Sequence, residues 1–121
     1  MNRTQFFEET RILTQERTKL LTTKGKAYSG DDDAFANFKS EGDDLGLTKY
    51  QIWSVYAFKH IGTIKRAIKV NPIHPVDNSE GLRGRIKDAI NYLELLNGML
   101  KEDERKVERE VEKDEDPRTG H

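Results

Sequence analysis

The chain contains no cysteine, which excludes a disulfide framework and thiolate chemistry. It has three prolines and 8% aromatic residues, and no run approaches the roughly 20 consecutive apolar residues of a membrane span. Neither sign of charge prevails. The 21 basic and 22 acidic residues leave a net charge of −1, so the overall field favours neither specific DNA binding nor an acidic membrane. The N-terminus leads into an amphipathic segment carrying Glu8 and Glu9, unlike a signal peptide, and a cytoplasmic location is the default.

What is present is charge and helical periodicity. Only 34% of the 121 residues are hydrophobic and 36% are charged. Small domains already bury a low fraction of their surface. Such a composition implies a thin core, an ordered part shorter than the chain, or completion by oligomerisation. A homo-oligomer, most simply a dimer, is expected.

Apolar spacing predicts four helices and no sheet. Phe6, Leu13 and Leu20 recur at seven over a first helix from Thr4 to Thr23, which Gly25 should end. Asp33 can cap a short helix from Ala34 to Leu45, with Gly46 as its C-terminal residue. Thr48 and Gln51 form a capping box that opens a long helix from Lys49 to Val70, closed by Pro72 and Pro75. One side of that helix carries Trp53, Ala57, His60, Ile61, Ile64 and Ile68. Another carries Ile52, Val55, Tyr56 and Lys59. Apolar residues on two sides mark a central or interfacial helix. Ser79 can cap the last helix, whose expected core stripe is Leu82, Ile86, Ala89, Leu93, Leu96 and Leu100. Beyond it the run 101–116 is almost wholly charged and reads as a solvated extension that frays. The expected fold is therefore an all-α helical bundle with two long central helices, over residues 1–100. A charged tail over 101–121 follows.

The second face of the last helix is unusual. Gly81, Gly84, Asp88, Asn91, Tyr92, Leu95 and Gly98 cluster there at about 100° per residue. A helical glycine costs about 1 kcal/mol against alanine, so several on one face suggest close approach, either by another helix or by a ligand. An acid beside Tyr92 and Leu95 needs a cation or donor if buried. Glu80 precedes Asp88 by two turns, about 12 Å along the axis, too far to share one ion without help from another helix. Lys59 and Arg85 can contact phosphate, or can be a snorkelling side chain and a salt-bridge partner. His60 can be a ligand contact or a satisfied core histidine. The triplet Asp31 to Asp33 lacks the spacing of a calcium loop. Nucleophilic triads, phosphate-binding loops and zinc spacings are absent.

The ordered set Lys26-x-Tyr28-Ser29, Phe35-Ala36-Asn37-Phe38, Leu45-Gly46-Leu47-Thr48, Val55-Tyr56-x-x-Lys59-His60 and Glu80-x-x-x-Gly84-Arg85-Ile86-x-Asp88-x-x-Asn91-Tyr92 resembles a group of small phage and prophage proteins. These are related to the nucleotide-modification-associated domain and, more distantly, to MazG-like all-α nucleotide pyrophosphohydrolases. The resemblance implies a nucleotide-handling protein of the host cytoplasm. Glu80 and Asp88 would be its catalytic and Mg²⁺-binding acids, and Lys59, His60, Arg85, Asn91, Tyr92, Tyr28 and Asn37 its ligand-binding residues. Gly84 stands where catalytic relatives place another acid, and an earlier Glu-x-x-Glu pair is not evident. Binding therefore stays open beside hydrolysis. Two non-enzymatic alternatives remain: a phage protein that sequesters a nucleotide signal of host defence, and a structural interaction module.

Overall fold

The computed structural model of the chain describes residues 1–29, 33–77 and 81–115, except for the side chains of 21, 23–29, 114 and 115. Four helices occupy the described residues, with no strand among them: α1 (Arg3–Ser29), α2 (Ala36–Leu45), α3 (Lys49–Val70) and α4 (Leu82–Glu115). This is the all-α architecture that the periodicity predicts. The long helices α3 and α4 pack antiparallel, as the pairs Lys49–Asp103 and His60–Asp88 show. α2 lies on α3, and α1 on α4.

Several local signals act as expected. Thr48 accepts a hydrogen bond from the Gln51 N–H at 3.1 Å, and the Gln51 side chain accepts one from the Thr48 N–H at 2.8 Å. This capping box satisfies two donors at the start of α3. Gly46 ends α2 in the left-handed region at φ 69°, with the Leu47 N–H returning to the Gly42 carbonyl at 2.9 Å, a glycine-terminated cap. Asn71 ends α3, and its side chain accepts from the His74 N–H at 3.1 Å.

Other expectations need correction. α1 does not stop before Gly25 but continues to Ser29, because one glycine weakens a helix without ending it. Asp33 does not cap α2 directly. Its carboxylate accepts from the Phe35 N–H at 2.9 Å, forming a side-chain turn one step before the helix begins at Ala36. The Ser79 cap lies outside the described residues. α4 runs unbroken from Leu82 through residue 100 to Glu115.

The core is small. Phe38, Ile52, Trp53, Ala57 and Met99 form it, with Phe35, Tyr50, Tyr92, Leu95 and Leu96 packed around them. The face of α4 turned inward carries Arg85, Asp88 and Met99, and Asn91 is buried at its edge. Leu93 and Leu100, expected inside, are 51% and 47% exposed. Periodicity locates a stripe but not the neighbour that covers it. Here α3 and α1 take the two flanks of α4, and neither covers Leu93 or Leu100.

Candidate functional site

The face of α4 that mixes polar residues and glycines is not one surface in three dimensions. Asp88, Arg85 and Tyr92 face α3, whereas Asn91 faces α1. Between α3 and α4 a charged cluster forms. The Arg85 guanidinium donates from Nε to Asp77 Oδ2 at 3.0 Å, and its Nη1 lies 3.2 Å from His60 Nδ1. His60 Nδ1 is also 3.7 Å from Asp88 Oδ2. With Nδ1 unprotonated, the ring accepts from Arg85. With Nδ1 protonated, the N–H faces the Asp88 carboxylate instead, and the ring is a cation only if Nε2 is protonated as well. The Asp77, Arg85, Asp88 and His60 side chains are only 10%, 10%, 11% and 13% exposed. Groups so desolvated require partners of opposite charge, and the cluster supplies them.

Tyr92 joins this cluster to the core. Its ring lies 5.3 Å from that of His60 and 6.3 Å, edge-on, from that of Phe38. Its carbonyl accepts from the Trp53 indole N–H at 2.6 Å. Asn91 instead donates from Nδ2 to the Arg17 carbonyl on α1 at 3.1 Å. Asn91 Oδ1 is buried without a hydrogen-bond partner, a cost of about 1–3 kcal/mol in such a setting. Arg17 Nη1 lies 2.5 Å from Glu94 as an ion pair, although it is off the direction of a hydrogen bond. Lys87 and Glu16 pair across the same interface.

The structure thus brings together four candidates, His60, Arg85, Asp88 and Tyr92, and separates three. Lys59 is exposed on α3, Asn37 is half-buried on α2, and Asn91 faces α1. Glu80 and the Tyr28 side chain lie outside what is described. The glycines divide as well. A Cβ on Gly98 would come within 2.8 Å of the Phe35 ring, so that ring rests on the backbone of α4. Gly84 faces open space, and Gly81 adopts φ 82°. Among the described residues no group of three or more His, Cys, Asp or Glu side chains is arranged to hold a metal ion. Asp77 faces the Arg85 guanidinium and Asp88 the His60 imidazole. An open groove of about 490 Å³ lies between α1 and the start of α4, lined by Phe6, Ile12, Leu13, Arg83, Ile86 and Lys87 among others. No residue of the charged cluster lines it.

Sequence reasoning missed Asp77, whose role depends on how the loop after Pro75 returns to α4. It also missed a second polar cluster at the opposite end of the α3–α4 pair. Lys39 bonds Asp33 and Glu102, each at 2.8 Å. Lys49 bonds Asp103 at 2.6 Å, and the Tyr50 hydroxyl donates to Asp103. The hydrogen bonds from Lys49 and then Tyr50 hold the Asp103 carboxyl below its ordinary value. Burial, then the bond to Asp103, pushes the Tyr50 phenol up to about 12. The carboxylate contributes stability above its ordinary range and loses it as pH falls through the lowered value. The phenol contributes below pH 10.0, its ordinary value, and loses its contribution as pH rises through about 12. Thermal unfolding of the native chain is therefore expected to show an alkaline loss between these two values. Tyr50→Phe should reduce that loss; an unchanged alkaline limb would assign it elsewhere.

No helix among the described residues is long and apolar enough to cross a membrane. No family model, curated protein or solved structure matches the chain.

Proposed function

We propose that the chain is a helical interaction module, working by presenting helix faces to another polypeptide. The observation that supports this is apolar exposure on both central helices. Val55 and Phe58 on α3 are 65% and 60% exposed, and Leu93 and Leu100 on α4 are 51% and 47% exposed. The buried hydrophobic residues are Phe38, Ile52, Trp53, Ala57, Ala67 and Met99 alone among those described. Large apolar side chains left outside a core this small mark interaction surface. On this reading the charged cluster fixes the register of α3 against α4 and ties the loop at Asp77 to them. Equilibrium dialysis against a nucleotide panel, with Mg²⁺ and with turnover followed in parallel, is expected to show neither retention nor hydrolysis. Retention that disappears in Asp88→Asn would replace this reading.

A second reading is the phage-type nucleotide-handling protein, acting by pyrophosphohydrolysis or by sequestering a signal. It is favoured by the convergence of His60, Arg85, Asp88 and Tyr92 from two helices. Against it, Arg85 already faces Asp77 at 3.0 Å, so a phosphate would have to displace a carboxylate. Asp88→Asn separates the two. As part of a structural cluster, Asp88 should lose about 1–3 kcal/mol of stability on substitution, with no change in nucleotide retention. Unchanged stability together with lost retention would establish the second reading.

A further inference from the structure

The apolar stripe of α4 has a specific form. Ile86, Leu93, Leu100 and Val107 recur at intervals of seven, and Leu82, Ala89 and Leu96 recur at seven between them. The alternating steps of three and four are the a/d pattern of a coiled coil. In the structure Leu93, Leu100, Val107 and Val111 are 51%, 47%, 59% and 48% exposed. The second row is half-buried along its length. Leu96 is half-buried against the core, and Asp103, next in that row, bonds Lys49 and Tyr50 of α3.

The length of α4 is the second observation. Its 34 residues span about 51 Å. Residues 104–113 are exposed throughout, yet they remain helical. This segment propagates from the packed part of α4 and carries Val107 and Val111 with no cover from α1, α2 or α3.

Resting on the interaction-module reading, we propose that α4 pairs with α4 of a second copy of this chain along the seam Leu93, Leu100, Val107 and Val111. Three features make a second copy the fitting occupant. A heptad seam is matched by a helix of the same repeat. The flanking charge over residues 101–113 is mixed, five basic and six acidic residues, so two copies meet without a single-sign field between them. The outward residues from Leu93 to Val111 continue along one side of α4 for about 27 Å, room for a second helix to lie against them.

The absence of cysteine allows a clean test. Single-cysteine chains Leu93→Cys, Leu100→Cys and Val107→Cys, oxidised alone and in pairwise mixtures, should give a covalent dimer in at least one combination; Val55→Cys on α3 should give none. The combination that links most readily reports whether the helices run parallel or antiparallel. Leu93→Glu/Leu100→Glu should lower the light-scattering mass to that of one chain with helical circular dichroism retained, and Val55→Glu/Phe58→Glu should leave the mass unchanged. Failure of every α4 cysteine to link, or a seam variant that keeps the native mass above one chain, would overturn the α4 pairing. Neither result would restore a nucleotide site, which dialysis alone decides.

Discussion

Arg85→Ala is expected to destabilise the fold by about 3–5 kcal/mol, the range found when one partner is removed from a buried ion pair. Arg85 bonds Asp77 at 3.0 Å and approaches His60 at 3.2 Å, and the Asp77 side chain is only 10% exposed. Removing the guanidinium takes a charged donor from that desolvated carboxylate and a polar neighbour from His60. Urea unfolding of Arg85→Ala and of Arg85→Ala/Asp77→Asn measures the effect. The double variant should recover part of the loss, because a neutral amide at 77 costs less to keep desolvated than a carboxylate. A loss below about 1 kcal/mol for Arg85→Ala, the scale of a surface pair, would show that the cluster is hydrated and does not hold α3 to α4.

Trp53→Ala is expected to have a comparable effect, about 3–5 kcal/mol. Trp53 is 7% exposed and belongs to the same small cluster as Met99 and Ala57. Its indole N–H donates across to the Tyr92 carbonyl on α4. With so few buried side chains, no second layer can collapse into the space. Trp53→Phe divides the loss into its parts. It keeps much of the apolar volume and removes the hydrogen bond, so it should cost less than Trp53→Ala. Denaturant midpoints for the two variants provide the comparison, and equal losses would place the whole effect in the indole contact with Tyr92.

The local parts of the fold are legible in the sequence because their causes are local. Thr48 and Gln51 lie three residues apart, so their reciprocal cap follows from the chain alone. Gly46 and the prolines at 72 and 75 mark ends in the same way. The seven-residue spacing of Leu93 and Leu100 is equally legible, but the side of α4 that α3 would cover is not. That choice follows from where Met99 and Asp88 meet Trp53 and His60, residues 28 to 46 positions away in sequence. Asp88 illustrates both limits. Its neighbours Tyr92 and Leu95 indicate that a buried acid there needs a cation, but its partner His60 comes from another helix. Asp77 and Arg17 carry no local signal at all. Glu102 and Asp103 are hidden in a run of charges in which nothing distinguishes the two that turn inward from those that stay in water.

On the proposed reading, α4 of one copy is completed by α4 of a second. Sedimentation equilibrium of the native chain at micromolar concentration tests it most directly. A mass twice the 14.0 kDa of one chain is expected; a mass of 14.0 kDa across that range would rule the pairing out.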